Sequence, residues 1–418
     1  MRPAGRRTTR DGIVRALAGV LLAACLSLQS TAALADPVFD RFVQSLWPDA
    51  QKLGVSRATF DAAARGLEPD LTLPDLLIPG RADRQPAQAE FVQTPAEYLK
   101  EQAFDRLAAQ GRALAEKHRA TLAQIEQRYG VPGPIVLAIW ARETNYGAAK
   151  MPHSAVRALA TQAWLGRRKE QFREELLLAL KMLEESHVTL ANMRSSWAGA
   201  MGQPQLLPSG FYKYAIDFDG DGKRDIWSSV PDVLGTIANH LVELGWQRGL
   251  RWATEVKVPR DIDCTIAQPE VKATIGEWLK RSYQPARGAR LTAAEQAQQA
   301  SLLMPAGPYG PAFLTTKNYF ALKDYNYSDL YVLFVGHLAD RIAGAPAFEQ
   351  PWGKVAQLQT AALERMQREL TRRGLYADKI DGKAGMLTRA ALGAYQKANG
   401  LKLDCWPSQT VLDHMQAK

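Results

Sequence analysis

The run Pro134-Ile-Val-Leu-Ala-Ile-Trp140 is followed at once by Ala-Arg-Glu-Thr-Asn-Tyr-Gly147, and this pairing constrains the chain most. The run reads as the inside of a helix. Glu143 lies four residues after Ile139 and three after Trp140, so it shares their helical face, while Arg142 can point elsewhere. An acid on the inner face of a core helix needs a reason.

Two environmental effects act on such an acid. Desolvation against Ile139 and Trp140 disfavours the carboxylate. Gly147 is a stop signal, which puts Glu143 in the last turn, where the helix dipole disfavours a further negative charge. Both favour the protonated acid that glycosidic cleavage uses. The competing reading is an ion pair at a helix end with Arg142, Lys150 or Arg157. Acid spacing bears on the choice. Glu143 is the only acidic residue between Glu126 and Glu170, and none lies between Glu185 and Asp217. That second stretch holds Arg-Ser-Ser-Trp-Ala-Gly-Ala-Met-Gly-Gln-Pro-Gln, with the amides, hydroxyls and aromatics of a carbohydrate site. Ordinary glycosidases need two carboxylates. Here one is expected to work without a partner.

A chain of 418 residues with 46% hydrophobic and 23% charged residues has room for two or three ordinary cores. Its net charge of +9 suits an acidic partner or an anionic polymer. No basic run interleaved with aromatics appears, so nucleic acid is not an expected partner. Residues 1–35 read as a secretory signal peptide: a basic start, an apolar stretch, and a small-x-small site at Ala33-Leu34-Ala35. The mature chain would be periplasmic. In the alternative, Leu22-Ala23-Ala24-Cys25 is a lipobox and Cys25 carries a membrane anchor. Cys264 and Cys405 would be the two cysteines of the mature chain, either as one disulfide or as two free thiols.

Helical patterning dominates from Asp36 to Trp246 and returns at Ser328, an N-cap ahead of Asp-Leu-Tyr-Val-Leu-Phe-Val. Residues 251–316 are mixed, with short strand-like pieces such as Glu255-Val-Lys-Val258, and 284–299 read as an exposed linker. Strands are few, and the chain is mainly α. Breaks at Gly344-Ala-Pro346 and Gln350-Pro-Trp-Gly353 divide a domain over 36–350 from a small unit over 355–418. That unit has helices starting near Thr388 and Ser408 around an Asp381-Gly382 turn.

Asp217-Phe-Asp-Gly-Asp-Gly-Lys-Arg-Asp225 is a cation-loop pattern. Asp217, Asp219 and Asp221 alternate so that their oxygens converge, Gly222 allows the turn, and the Lys223 carbonyl falls at the seventh ligand position. The twelfth is Ser228 rather than a glutamate, so Asp225 or Asp232 would supply the missing acid. Weak, structural Ca2+ is expected, with Na+ as the alternative and no organic cofactor. The six histidines show no zinc spacing, and no nucleophile elbow or phosphate loop is present.

Read together, Trp140–Gly147, Arg157–Trp164, Trp197–Ser209, Tyr214–Trp227, Ala238–Trp246 and Asn318–Ser328 resemble the membrane-bound lytic transglycosylase B family. The pieces run in family order over most of 36–345. The resemblance implies a lysozyme-like helical domain that cleaves the MurNAc–GlcNAc β-1,4 bond of peptidoglycan glycan strands without water. Glu143 matches the family's acid/base, which protonates the leaving oxygen and then takes the proton of the MurNAc 6-hydroxyl as it closes on C1. The substrate's N-acetyl group stabilises C1 in between. Ser196, Gln205, Asn318, Tyr325 and Asn326 fall on family positions lining the cleft; Tyr319-Phe320 duplicates the aromatic after the first Asn. For Ser196 and Gln205 the competing reading is a cap or loop hydrogen bond. For the twelfth loop position the family points to Asp232.

The last unit resembles the three-helix peptidoglycan-binding domain, carried by Gln367, Leu370, Gly374, Ile380-Asp-Gly382, Gly385, Thr388, Ala390, Gln396, Leu401 and Thr410. Cys405-Trp406 stands where that family has glycine. Wall anchoring by a monomer is implied. The rival readings are a hydrolytic muramidase, which needs a second acid beside Glu143, and a non-catalytic wall-binding scaffold.

Overall fold

Helix Gly133–Thr144 runs through the centre of the molecule because its sequence leaves it no polar face. Ile135 through Ala141 are all buried, each large side chain contributing about 1.5–3 kcal/mol when taken from water. A computed structural model describes residues 37–81 and 89–417; the expected export signal and Cys25 lie outside them. Around the central helix pack Glu101–Lys117, Arg119–Tyr129, Val230–Glu243 and Asp329–Ile342. Ser229 and Ser328 cap the last two, each hydroxyl accepting the amide three residues on. A second apolar cluster joins helices Ala155–Leu165 and Lys169–Glu184 to the first helix, Pro37–Ser45. Among the described residues no helix is long and apolar enough to cross a membrane.

The mixed region folds into an antiparallel five-stranded sheet. Its strands lie in the order 272–274, 299–303, 312–315, 253–257, 284–285. This goes beyond the few short strands expected. Strand Ala312–Thr315 is buried throughout and Gln299–Leu303 nearly so. With both faces covered, neither shows the alternation that marks a strand in sequence. The expected linker over 284–299 also carries structure, including a capping box from Thr292 to Glu295.

The C-terminal unit is a bundle of Thr360–Arg372, Met386–Ala398 and Gln409–Ala417. Its middle helix starts two residues earlier than expected, because Thr388 points inward. Gln367 explains this. Its amide donates to Asp381 Oδ1 at 3.0 Å and Thr388 Oγ at 3.1 Å, and its carbonyl accepts the amides of Asp381 and Gly382. One buried glutamine thus fastens the turn to two helices. Cys264 and Cys405 form a disulfide with a Cα–Cα separation of 6.1 Å, joining the sheet region to the C-terminal bundle. The choice between bond and free thiols is thereby settled.

Candidate active site

The central helix ends at Thr144, three residues before the expected glycine stop. Asn145 and Tyr146 already adopt left-handed conformations, with φ of 50° and 59°. Glu143 therefore stands in the last turn, half-buried, above fully buried Ile139 and nearly buried Trp140. Gln203 holds this end in place. Its carbonyl oxygen Oε1 accepts from Trp140 Nε1 at 2.7 Å, and its backbone oxygen accepts from Thr144 Oγ1 at 3.0 Å. Its amide donates to the Trp227 carbonyl at 2.8 Å. Gly147, at φ 81°, is needed here: a Cβ would fall 2.3 Å from Gln203 Oε1. Gln203 carried no sequence signal beyond its place in the amide-rich stretch.

Tyr331 donates its hydroxyl to Glu143 Oε1 at 2.5 Å. Burial first, and the Glu143 charge next, push the Tyr331 phenol well above its ordinary pKa, so it stays protonated and keeps the hydrogen it donates to Glu143. Tyr325 stacks parallel to Tyr331 at 6.3 Å and bonds the Pro204 carbonyl at 3.1 Å. Its phenol is also raised, by burial and then by the charge of Glu143. Tyr325 leans in turn on His240, which stacks on Tyr214 at 3.8 Å. Burial, then Lys213, pushes the His240 pKa down to about 4, so this wall carries no charge at neutral pH. Arg142 points away, as expected, with Nε bonded to the Tyr98 hydroxyl at 2.9 Å.

The remaining expected contact residues divide. Gln205 sits at φ 57° on the lip beside Pro204, its amide donating to the Gly202 carbonyl at 2.9 Å. Ser196 closes a turn, its hydroxyl accepting the Ala200 amide at 3.2 Å. Asn326 is half-buried at the end of helix Lys317–Asn326. Asn318 departs from the expectation that it lines the cleft. It is fully buried, and its amide is spent on Gln247 and Leu250, accepting the Gln247 amide at 2.7 Å and donating to both carbonyls. It is scaffold.

In the aspartate loop, the carboxylate oxygens of Asp217, Asp219 and Asp221 lie within 4.8 Å of one another. Two oxygens each about 2.4 Å from a shared Ca2+ can be no farther apart than that, so the three fit such an ion. Asp217 also accepts the amides of Gly220 and Gly222, and Asp221 accepts that of Lys223. Asp232 corrects the sequence reading. It is completely buried, Oδ1 accepting the amides of Phe218 and Asp219 and Oδ2 that of Asp225. Its oxygens brace the loop from beneath instead of joining the cluster. Burial raises its pKa against the pull of those amides, and Asp219 adds to the rise. Asp225 accepts the amides of Trp227 and Ser228. The Trp227 carbonyl holds Gln203, so the loop connects through two residues to the end of the Glu143 helix.

Residues 38–340 match the family described as the transglycosylase SLT domain, and 359–415 match a putative peptidoglycan binding domain. The chain is 32% identical over 223 residues to membrane-bound lytic murein transglycosylase B of Escherichia coli (strain K12). That match spans 52% of this chain and 58% of the relative, less than two thirds of its length. A crystal structure of SltB3 from Pseudomonas aeruginosa, in complex with NAG-NAM-pentapeptide, shares 36% identity and a TM-score of 0.80. It covers 90% of this chain and 99% of that one. The Escherichia coli lytic transglycosylase Slt35 in complex with calcium, at 24% identity and TM-score 0.54, covers 73% and 93% and shares the fold.

Proposed function

From a chain that belongs to the transglycosylase SLT domain family, we infer a lytic transglycosylase that cleaves the MurNAc–GlcNAc bond of peptidoglycan to a 1,6-anhydro product. The observation that carries this is Glu143. It is a half-buried acid at the end of a core helix, held by the Tyr331 hydroxyl, and its charge acts on Tyr325 beside it. In this reading Glu143 first gives its proton to the leaving O4 as the C1–O4 bond breaks. It then takes the proton of the C6 hydroxyl as O6 bonds C1. No water is consumed, and the acid is restored. A nucleophile already held within the substrate gains on water through proximity. Tyr331, held in its protonated form, keeps one carboxylate oxygen of Glu143 engaged. Complexes of the Pseudomonas relative with NAG-NAM-pentapeptide and with NAG-anhNAM-pentapeptide support this substrate and product class.

Mass spectrometry of digested sacculi tests the reading. Each cut is expected to leave fragments summing to the parent mass, with an end that borohydride does not reduce. One added water per cut would show a hydrolytic muramidase instead. Ser196, Gln205, Tyr325 and Asn326 would contact the sugars. The unit over 359–415 would hold the enzyme on the wall. Residues 1–35 would export it to the periplasm, or anchor it through Cys25.

The aspartate loop would hold Ca2+ through Asp217, Asp219, Asp221 and the Lys223 carbonyl. Its part is to stiffen the segment that supports Trp227 and Gln203. Sites of this extracellular kind bind with Kd around 10⁻⁴–10⁻³ M. Ca2+ at ten to a hundred times Kd then stabilises the fold by about 1.4–2.7 kcal/mol. Differential scanning calorimetry is expected to show a Tm several degrees higher in 10 mM CaCl2 than in EDTA, and no such gain in Asp217→Asn. Equal gains in both proteins would remove the ion from this loop.

A further inference from the structure

We propose that the C-terminal helical unit does more than anchor: through Arg389 it fixes the start of the helix that presents Tyr331 to Glu143. Arg389 is thus a positioning residue for the acid, an inference that rests on the reading of Glu143 above. The connection begins at Asp329, the first residue of helix Asp329–Ile342 and two residues before Tyr331. The Asp329 side chain is 8% exposed. Its Oδ1 accepts the Tyr319 hydroxyl at 2.6 Å and Lys323 Nζ at 2.7 Å, both from the preceding helix. Its Oδ2 accepts Arg389 Nη2 at 2.9 Å, from the first turn of helix Met386–Ala398 in the other unit. The Arg389 side chain is also 8% exposed, and its other terminal nitrogen donates to the Ala384 carbonyl.

Each of the two oxygens of Asp329 therefore answers to a different unit. Burial works against its charge. Lys323, Arg389 and the Tyr319 hydroxyl together overcome this and hold the carboxyl well below its ordinary range. Removing Arg389 leaves a buried carboxylate half-paired, which the start of the helix relieves by turning Asp329 toward water. Tyr331 lies within the same helical turn and moves with it. Because its hydroxyl meets Glu143 at 2.5 Å, a small rotation breaks that contact.

The same C-terminal helix is fixed independently near its other end. Lys397 pairs with Asp263 at 2.7 Å, Asp404 accepts the Tyr309 hydroxyl at 2.8 Å, and Cys405 is bonded to Cys264. Loss of Arg389 accordingly leaves the unit docked. Its effect on the acid is separable from its effect on anchoring.

The test uses the full chain and a soluble glycan tetrasaccharide of the wall polymer, with sacculus co-sedimentation measured alongside. Arg389→Ala is expected to lower kcat about tenfold, a modest share of the hundredfold that an ångström of misplacement can cost. KM stays within about twofold and sacculus binding is unchanged. Arg389→Lys, which keeps the charge, recovers part of the loss. Combining Arg389→Ala with Tyr331→Phe falls no further than Tyr331→Phe alone, since both remove one contact. An unchanged kcat in Arg389→Ala overturns the proposal, as does a loss confined to KM or a double-variant loss equal to the product of the singles. Should Arg389→Ala fail to fold, Arg389→Gln carries the same comparison, and an unchanged kcat there overturns it equally. Inactivity of the wild type on the tetrasaccharide and in digestion of sacculi would instead refute the enzymatic reading.

Discussion

Glu143→Gln is expected to lose at least a thousandfold of its activity on purified sacculi while keeping its fold. General acid–base catalysis by a placed side chain contributes about 10²–10⁴-fold, and in the proposed reaction one group serves both half-steps. A thousandfold corresponds to about 4 kcal/mol of barrier. Glutamine has the size of the native side chain, and its Oε1 can still accept the Tyr331 hydroxyl that Glu143 accepts at 2.5 Å. What it lacks is a proton to give and a charge to receive one. Turbidity clearing and release of muropeptides are the measurements, with circular dichroism to show an intact helical fold. Clearing at the wild-type rate would mean that another group is the acid. No clearing by the wild type would favour a wall-binding scaffold.

Asp232→Ala carries the largest expected effect on stability, about 3–5 kcal/mol. The substitution strands the amides of Phe218, Asp219 and Asp225 beneath the loop and leaves a cavity where a fully buried carboxylate stood. Asp232→Asn keeps an oxygen for Phe218 and Asp219 but turns an NH2 toward the Asp225 amide, and is expected to cost less, about 1–3 kcal/mol. Urea denaturation in EDTA reads this brace alone, because metal binding then adds nothing. If Asp232→Ala matched the wild type in EDTA and fell behind only with Ca2+, Asp232 would be a ligand and the brace would be wrong. Loosening of this loop should also reach the active site, since the Trp227 carbonyl holds Gln203 and Gln203 holds Trp140.

Much of the site was legible before any coordinates. A glutamate three and four residues from the apolar Trp140 and Ile139 has to lie on the inner face of their helix, and it does. Three alternating aspartates with Gly222 among them have to bring oxygens together, and theirs lie within 4.8 Å. Ser328 had to cap, given the apolar helix that follows it. The errors share a cause. Asn318, Asp232 and Thr388 have side chains suited to a cleft, an ion and a cap, and each is turned inward to satisfy a backbone or a buried amide instead. Residue type states what a group can bond, and only its surroundings state which partner it meets.

The amino-acid order alone pointed to the main helices, to Glu143 on the inner face of one of them and to the converging aspartates. All of these depend on separations of a few residues, where helix geometry and turn chemistry fix the outcome. Packing decided the rest. Tyr331 reaches Glu143 across 188 positions, Cys264 reaches Cys405 across 141, and Arg389 reaches Asp329 across 60. Two inner strands of the sheet, 299–303 and 312–315, are buried on both faces and lost the alternation that would have shown them. Contacts of that span depend on how whole helices and strands cover one another's apolar faces, and no local pattern records it.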